Sequence, residues 1–449
     1  MTNIREIILD ILLAILRDGA YSQHAIHSAL EKYQYLTRRD RAFITRVAEG
    51  TVERLIELDY IIDSYSQVPV EKMKPVIANI LRSAVYQIRF MRSGPDASAV
   101  NEAVKLAQSR GFYNLKGFVN GVLRSVSRHP EKAPYPDREK DLAGFLTIAY
   151  STPRWIVETW LETYGDFVTE KMLAALMEPR PTTIRLKTDG ITKSEILESL
   201  RGQGVYVKPA GCLPYACNVA DYSFLPSLEA FRKGWIYPQD LGSMLVGEIA
   251  DPSEGNVVFD LCAAPGGKSL HAADKMKGTG TVEARDVSPE KVALIQENVA
   301  RTGLTNVRPK VADALVYDPE SEGRADVVLC DLPCSGLGVI GRKPDIKYRV
   351  TPERVAELAE LQRKILHNAA SYVKPGGVLI YSTCTVSARE NQENVRWFLD
   401  NYSFHLESLD PYLPKELQSL STKDGMIQLL PGIHPTDGFF IARFRREEA

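Results

Sequence analysis

One short stretch limits more than any other what this chain can fold into, because three local signals meet in it. Residues 257–259 are apolar and mostly β-branched, which is typical of a buried strand. Pro265 and the paired Gly266 and Gly267 then break the pattern, and helical spacing resumes at Lys268. Glycines let a ligand approach the backbone, and a helix N-terminus offers unpaired N–H groups. The stretch therefore predicts the entrance to a nucleotide-type binding site.

The spacing within this loop argues against two common phosphate-binding sites. A P-loop needs a glycine where this chain has Cys262, ahead of the Gly-Lys-Ser motif at 267–269. A dinucleotide fingerprint needs alternating glycines, which the adjacent pair Gly266 and Gly267 does not supply. Asp286 lies 20 residues after Gly266, at the end of the next predicted strand, where a carboxylate can bind ribose hydroxyls. We therefore expect a nucleoside ligand without a pyrophosphate, such as S-adenosylmethionine.

From residue 255 onward, strand-like and helix-like segments alternate. The predicted strands are 257–261, 281–285, 306–311, 325–330 and 377–381. Ser288 and Thr351 are each followed by Pro-Glu, which is typical of a helix start. The alternation predicts a Rossmann-like α/β domain with a parallel sheet between helices. Ligands of such sheets bind at the carboxyl ends of the strands, so we expect convergence of the residues that follow them: Gly266, Asp286, Asp313, Asp331 and Cys384.

Three motifs give the chain a specific resemblance. They are the glycine loop at 261–268, the Asp-Leu-Pro-Cys-Ser-Gly motif at 331–336 and the Ser-Thr-Cys-Thr motif at 382–385. In this order they resemble the Sun family of RNA cytosine-C5 methyltransferases. The resemblance implies S-adenosylmethionine as the cofactor and RNA, specifically 16S rRNA, as the substrate. It also implies that the closing strand, predicted at 439–444, is antiparallel to its neighbours.

In this family a cysteine thiolate adds to C6 of the target cytosine, which enables C5 to accept a methyl group. The resemblance implies that Cys384 is this nucleophile and that Cys334 assists product release. For either cysteine the alternative is a small buried thiol. Asp331 would contact the cytosine edge at N3, unless it is a solvated turn residue. Lys268 would lie near the cofactor carboxylate or the base, unless it is an ordinary surface lysine.

The residues expected to hold the cofactor are the glycine loop and three carboxylates. They are Cys262, Ala263, Ala264, Pro265, Gly266, Gly267, Lys268, Asp286, Asp313 and Asp331. Asp313 would bind the adenine amine, with a helix cap before Ala314 as the alternative. Charged Glu283 and Arg285 stand where the family usually has apolar residues, so the packing of that strand is in question while the cofactor site is not.

The N-terminal part of the chain carries a succession of amphipathic helical patterns. They are predicted at 4–17, 22–33, 40–64, 74–91, 98–109 and 116–128. Residues 1–130 are therefore expected to form an all-α domain, and segments 100–104 and 117–124 resemble NusB, an RNA-binding antitermination factor. Proline-rich residues 131–149 are predicted to be a linker. Residues 150–235 are predicted as a small α+β subdomain, where the family has one like an RNA-recognition motif, and 236–449 as the methyltransferase domain.

Two groups of basic residues are candidates for RNA contact. Arg38, Arg39, Arg41 and Arg46 cluster near the start of the third predicted helix, and Arg342 and Lys343 follow the Pro-Cys loop. Their charges would neutralise phosphates. The alternatives are a solvated helix face for the first group and a disordered surface loop for the second.

Composition limits the remaining functional classes. The length of 449 residues calls for two or three domains, and the net charge of −2 argues against a wholly basic nucleic-acid binder. Charged residues within the first apolar stretch argue against a signal peptide, and no uncharged apolar run is long enough to cross a membrane. Six cysteines without a C-x-x-C pair predict reduced thiols and no metal site. These features predict a cytoplasmic protein that does not bind a membrane. The family resemblance implies RNA rather than DNA as the partner, and a monomer is expected.

Two other functions remain open at the level of sequence. The first is the same chemistry on tRNA or on another rRNA position. The second is a non-catalytic RNA-binding factor in ribosome assembly or antitermination, against which the presence of both Cys334 and Cys384 argues.

Overall fold

The computed structural model describes residues 3–91 and 94–448. In chain order its helices are α1 (Ile4–Leu16), α2 (Ser22–Lys32), α3 (Arg38–Glu53), α4 (Leu55–Tyr65), α5 (Pro75–Phe90), α6 (Asp96–Ser109), α7 (Lys116–Arg128), α8 (Leu142–Ala149), α9 (Arg154–Leu176), α10 (Lys193–Gly202), α11 (Glu229–Arg232), α12 (Leu241–Ala250), α13 (Gly267–Lys275), α14 (Pro289–Thr302), α15 (Ile346–Arg349), α16 (Pro352–Tyr372), α17 (Gln392–Asn401) and α18 (Leu420–Lys423). Its strands are β1 (Thr182–Leu186), β2 (Tyr206–Pro209), β3 (Ala216–Ala220), β4 (Ile236–Pro238), β5 (Val257–Asp260), β6 (Thr281–Asp286), β7 (Val307–Val311), β8 (Ala325–Asp331), β9 (Val373–Thr383), β10 (Phe404–Leu406), β11 (Met426–Leu429) and β12 (Phe439–Arg446).

The chain forms two compact units, and the first of them is helical. It consists of Met1–Glu178 together with the later segment Ile340–Arg349. Apolar side chains at helical spacing on α1 to α7 build its core, and several are wholly buried: Leu12, Ile44, Ile61, Ile80 and Leu123. The prediction of an all-α N-terminal domain is confirmed.

The single helix predicted at 40–64 is wrong, because the structure has two helices there. Arg54 leaves the helical region with φ −105° and ψ 23°, so α3 ends before it and α4 begins after it. The first N–H groups of α4 find a partner elsewhere, since Ser151 Oγ accepts from the Ile56 and Glu57 amides at 2.9 and 3.3 Å. A partner some 95 positions away leaves no signal in the local hydrophobic pattern.

The segment predicted to be a linker, 131–149, contains the helix α8. Its N-terminus is capped by Asp141, whose Oδ1 accepts the Gly144 N–H at 2.9 Å. Its apolar residues, such as the fully buried Leu146, explain why it folds although prolines precede it. The long helix α9 that follows is kinked at Gly165, which has φ 74°.

The second unit begins with a small subdomain of antiparallel strands and one long helix. The strand order is β2-β3-β1-β4, and α10 packs against the sheet. A capping box between Thr192 and Glu195 starts α10, and Ile196 and Leu200 on that helix are wholly buried against Ile184 and other apolar residues. The prediction of a small α+β subdomain is confirmed.

The second sheet, which carries the predicted site, has the strand order β10-β12-β9-β8-β5-β6-β7, and β11 also pairs with β12. Strands β5 to β9 are parallel, and β12 is antiparallel to β9, as predicted for the closing strand. From β5 the chain proceeds to β6 and β7 on one side and later to β8 and β9 on the other. This reversal creates a crevice at the carboxyl ends of β5 and β8, which is where ligands of open α/β sheets bind.

The charges of β6 are accommodated by burial of Arg285. Its guanidinium lies 4.4 Å from the ring centroid of Phe259 and 2.6 Å from both Glu283 Oε1 and Ser321 Oγ. The cation therefore has an aromatic face, a carboxylate and a hydroxyl as partners, which offsets the cost of its burial. The charged residues of this strand thus pack inside the domain, and Asp286 still ends the strand.

Candidate active site

The loop after β5 is fixed by hydrogen bonds on both sides. Gly266, with φ 105°, precedes α13 in a left-handed conformation that favours glycine, and its N–H donates to Ala263 O at 2.7 Å. Ala263 N–H in turn donates to Arg285 O on β6 at 2.8 Å. The predicted cofactor loop is therefore an ordered turn that directs the first N–H groups of α13 towards the crevice.

Two buried carboxylates stabilise this loop and the start of α13 by accepting hydrogen bonds. Asp260 is buried at the end of β5 and accepts from Ser269 Oγ at 2.6 Å. Its burial raises its pKa to about 6, although the Ser269 hydrogen bond acts in the opposite direction. Asp286, also buried, accepts the Ala264 N–H at 3.2 Å through Oδ2 and lies 3.5 Å from Lys291 Nζ through Oδ1. Asp286 is thus placed at the strand end where it was predicted.

Asp313 and Cys262 complete the predicted cofactor residues. Asp313 is exposed beyond β7, and its Oδ1 accepts the Leu315 N–H at 2.9 Å within a turn. No helix begins there, so the helix-cap alternative does not apply. Cys262 is half-buried, and burial raises the pKa of its thiol above the ordinary range. The raised pKa favours a neutral thiol, so Cys262 would serve the cofactor loop through its backbone rather than as a thiolate.

Lys268 is not a surface lysine. Its side chain is 13% exposed, and its Nζ lies 2.6 Å from Asp331 Oδ2, while Asp331 Oδ1 accepts from Ser382 Oγ at 2.8 Å. Burial favours the neutral amine, but the Asp331 carboxylate, with smaller contributions from Asp260 and Cys384, outweighs burial and raises the pKa of Lys268. Three predicted motifs, which follow β5, β8 and β9, are therefore joined by direct hydrogen bonds.

The two predicted catalytic cysteines are neighbours. Cys334 Sγ and Cys384 Sγ lie 3.3 Å apart, one in the loop after β8 and the other directly after β9. The contact with Cys384, together with burial, raises the pKa of Cys334 well above its ordinary value. Cys384 also lies close enough to Lys268 for their charges to interact, and an ammonium group favours a thiolate.

A buried polar network behind the cysteines was missed in the sequence. It consists of Ser335, Gln362, Thr385 and Glu390, all nearly or wholly inaccessible to solvent. Glu390 lies six positions after Cys384 in a polar run to which the sequence assigned no role. The only signal available was its spacing from the Thr-Cys motif, and spacing alone does not show burial.

The other predicted residues have less specific surroundings. Arg38 and Arg39 are exposed at the start of α3, where Thr37 Oγ1 caps the helix. Arg41 is half-buried, and Arg46 is exposed in the middle of the same helix. Arg342 and Lys343 belong to Ile340–Arg349, which packs in the helical unit. The disordered-loop alternative is therefore wrong for this segment, because Asp345 accepts from Ser22 Oγ at 2.5 Å and Arg349 donates to Gly19 O at 2.7 Å.

Two absences hold for residues 3–91 and 94–448. No three side chains of the metal-ligating types are grouped so that they can hold a metal ion. No helix in the same ranges combines the length and the apolar character that crossing a bilayer requires.

Comparison with known proteins agrees with this geometry domain by domain. Residues 248–445 match the family model for the 16S rRNA methyltransferases RsmB/F, residues 2–128 match the NusB family, and residues 152–222 match the ferredoxin-like domain of RsmF/B-like methyltransferases. The probable ribosomal RNA small subunit methyltransferase B of Bacillus subtilis is 36% identical over 99% of this chain and 99% of its own length. The corresponding Synechocystis protein is 32% identical over 99% and 100%. The crystal structure of PH0851 has a TM-score of 0.82 and 28% identity, covering 99% of this chain and 98% of that one.

Fold and site together define an S-adenosylmethionine-dependent RNA methyltransferase. More narrowly, full-length similarity at 36% identity shows that the chain belongs to the ribosomal RNA small subunit methyltransferase B (RsmB/Sun) family.

Proposed function

We propose that the chain transfers a methyl group to C5 of a cytosine in 16S rRNA, cytosine 967, through a covalent bond from Cys384. The observation that carries the proposal is the pair of thiols 3.3 Å apart at the ends of β8 and β9, next to the Lys268–Asp331 ion pair. A buried structural thiol has no need of a second thiol and a charged lysine beside it. A nucleophile that must be formed and later released has a use for both.

The residues of the crevice fit S-adenosylmethionine. The N–H groups at the start of α13 and the ammonium of Lys268 suit its carboxylate, and Asp286 suits its ribose hydroxyls. Val287 and Val311 are 56% and 51% exposed at the ends of β6 and β7, which gives the adenine ring an apolar surface beside Asp313. In this arrangement the loop 262–268, Asp286, Asp313 and Asp331 hold the cofactor. When bound, it supplies an electrophilic methyl group.

The protein residues then divide the chemistry among them. The Cys384 thiolate adds to C6 of an unstacked cytosine, and Asp331 interacts with the ring edge at N3, so that C5 becomes nucleophilic and takes the methyl group. Once the C5 proton has been removed by a base, the bond between Cys384 and C6 breaks and the aromatic ring is restored. Cys334, in contact with Cys384, assists this last step.

The test uses the purified protein, tritiated S-adenosylmethionine and unmodified 16S rRNA, with tRNA alongside. The labelled nucleoside is mapped by digestion and mass spectrometry. Label in 5-methylcytosine at one 16S rRNA position is the expected result. Label only in tRNA would keep the chemistry and reject the substrate, and no label in either RNA would reject the enzyme.

Two variants separate the roles of the cysteines. Cys384→Ala is expected to abolish methylation while S-adenosylmethionine binding, measured by calorimetry, is retained. Cys334→Ala is expected to accumulate a covalent RNA adduct that survives a denaturing gel. Turnover by the first variant, or the absence of an adduct with the second, contradicts the corresponding assignment.

We also propose how the rest of the chain serves this reaction. The NusB-like domain binds RNA through Arg38, Arg39, Arg41 and Arg46, and Arg342 and Lys343 add phosphate contacts. The protein acts as a monomer in the cytoplasm. Charge-reversed variants of the α3 arginines should weaken RNA binding and reduce its dependence on salt concentration.

A further inference from the structure

The Glu390 carboxylate lies in the interior between the two cysteine-bearing motifs. Its Oε1 accepts the Ser335 N–H at 2.8 Å, and its Oε2 accepts from Ser335 Oγ at 2.5 Å. Ser335 Oγ also lies 2.7 Å from Thr385 Oγ1. One acidic side chain therefore links the residue after Cys334 to the residue after Cys384.

The backbone is held on both sides of Cys334. Gln362, from α16, donates through Nε2 to Pro333 O at 2.9 Å and to Glu390 Oε1 at 3.2 Å. The carbonyl before Cys334 and the N–H after it are thus bonded to two side chains that are also bonded to each other. On the other strand end, Cys384 O accepts the Gly338 N–H at 3.0 Å.

We propose that Glu390 is a positioning residue, whose buried carboxylate fixes the Cys334 loop against Cys384 so that Cys334 can act when the RNA is released. The inference rests on the proposed function, because it needs the roles assigned to the two cysteines. Glu390 acts through its hydrogen bonds with Ser335 and Gln362, which hold the backbone on the two sides of Cys334. Loss of its hydrogen bonds would leave the Pro333–Ser335 backbone held from one side only.

Burial of this carboxylate argues that it serves more than packing. Glu390 is 0% exposed, and burial raises its pKa above the ordinary range even though hydrogen bonds from Ser335 favour the charged form. Burying a carboxyl group is costly, and an apolar side chain would fill the same volume at lower cost. Three donors converging on one carboxylate beside two reactive thiols instead define the position of the loop to a fraction of an ångström.

The proposal predicts a defect in release without an equal defect in methyl transfer. For Glu390→Ala we expect steady-state turnover to fall about 10- to 100-fold, the range that small misplacements of catalytic groups produce. The first turnover on 16S rRNA should change much less, and a covalent adduct should accumulate on denaturing gels. Glu390→Gln keeps an acceptor for the Ser335 N–H and should restore most of the turnover. Glu393→Ala, which removes an exposed acid three positions along, is the matched control and should behave as wild type.

Three results would overturn the inference. If Glu390→Ala slows the first turnover and the steady state equally, the residue is merely structural. If Glu390→Ala releases RNA as fast as wild type, the role of Cys334 in release does not depend on Glu390. If Glu390→Ala lowers turnover further in a Cys334→Ala background, the two residues act separately, because residues in one functional unit are not additive.

Separate controls distinguish a folding defect, and a failure of the proposed function, from a failure of this inference. Should Glu390→Ala fail to fold by circular dichroism, Ser335→Ala replaces it, since it removes the hydroxyl link and leaves the carboxylate in place. That variant must then show the adduct for the proposal to stand. A wild-type protein that forms no 5-methylcytosine overturns the proposed function and this inference together, whereas normal methylation with unaffected release overturns this inference alone.

Discussion

Lys268 and Lys347 are both buried lysines, and their surroundings affect their charge in opposite ways. Lys268 Nζ lies 2.6 Å from Asp331 Oδ2, and this carboxylate outweighs the effect of burial and raises the pKa of Lys268. Lys347 is 1% exposed, and its Nζ donates to the backbone oxygen of Glu53 at 2.8 Å. There burial outweighs the charge of Glu53 and lowers the pKa of Lys347 to about 7.

The comparison shows that a carboxylate in direct contact decides whether a buried lysine stays charged. The raised pKa of Lys268 favours its charged form, which suits the roles proposed for it beside Cys384 and the cofactor carboxylate. Lys347 forms no ion pair among the described residues, and it titrates near neutral pH while it holds α15 against the end of α3. The same residue type thus serves electrostatics in one unit and anchoring in the other.

The largest effect is expected when the positive charge of Lys268 is removed. Lys268→Met should lower kcat/KM for RNA methylation about 100-fold or more, since the Asp331 carboxylate loses its partner and Cys384 loses a neighbouring cation. The rate at which labelled methyl groups enter RNA, at saturating and at limiting S-adenosylmethionine, measures this fall in kcat/KM. Lys268→Arg keeps the charge and should retain far more activity. Equal losses in both variants would show that shape rather than charge matters.

The next effect comes from removing the carboxylate instead. Asp331→Asn places Lys268 in surroundings like those of Lys347, so its pKa should fall and methylation should decline about 10- to 100-fold. If the pair acts as one unit, the double variant with Lys268→Met is no worse than the more damaging single variant. Multiplicative losses in this double-mutant cycle would mean that the two residues work independently.

The sequence was informative where chemistry and chain position coincide. Asp286 and Asp331 end strands of the parallel part of the sheet, Cys384 directly follows another, and Gly266 lies in the loop after β5. Such strand ends must meet at one edge. Local pattern therefore sufficed to place them together. The closing antiparallel strand was also anticipated through the resemblance to known methyltransferases, and the small α+β subdomain from its pattern of strands and a helix.

Features that depend on distant partners were not predictable in this way. The break between α3 and α4 depends on Ser151, and the burial of Glu390 depends on Gln362 and Ser335. For Arg342 and Lys343 the sequence left open RNA contact or a disordered surface loop, but the segment that contains them, Ile340–Arg349, packs in the helical unit with Lys347 buried. The local sequence does not show whether a charged residue is buried, because its burial depends on partners that are distant in the chain and adjacent only in the folded protein.

A third prediction concerns the stability of the helical unit. Between pH 7 and 10.5 the folded protein carries neutral Lys347 while the unfolded chain still binds the proton, so stability rises with pH in this window. Wild type should therefore gain about 2 kcal/mol from pH 7 to pH 9 relative to Lys347→Met. Urea unfolding followed by circular dichroism at both pH values measures the difference.

The control for this measurement lies in the same segment. Lys343 is exposed, so Lys343→Met should leave the pH dependence of wild type unchanged. The anchoring role of Lys347 is contradicted if Lys347→Met follows the wild-type curve across this range.

The smallest effect is expected when the charge of Glu53, close to Lys347, is removed. Glu53→Gln keeps the backbone oxygen that accepts from Lys347 and removes only the carboxylate, whose charge favours the protonated lysine. The pKa of Lys347 should therefore fall further. Burial also raises the pKa of Glu53 itself, which makes wild-type stability decline with rising pH above the ordinary glutamate range, and the variant loses that decline. Both changes have the same sign, so between pH 5 and pH 7 the stability of the variant should rise relative to that of wild type, which urea unfolding at both pH values measures.

Repeating Glu53→Gln in the Lys347→Met background separates the two contributions to this gain. The part that comes from Lys347 must vanish there, and only the part that comes from titration of Glu53 can remain. An undiminished gain would mean that Glu53 does not act on Lys347. In that case burial and the backbone hydrogen bond alone would distinguish this lysine from Lys268, and a carboxylate would affect a buried lysine only in direct contact.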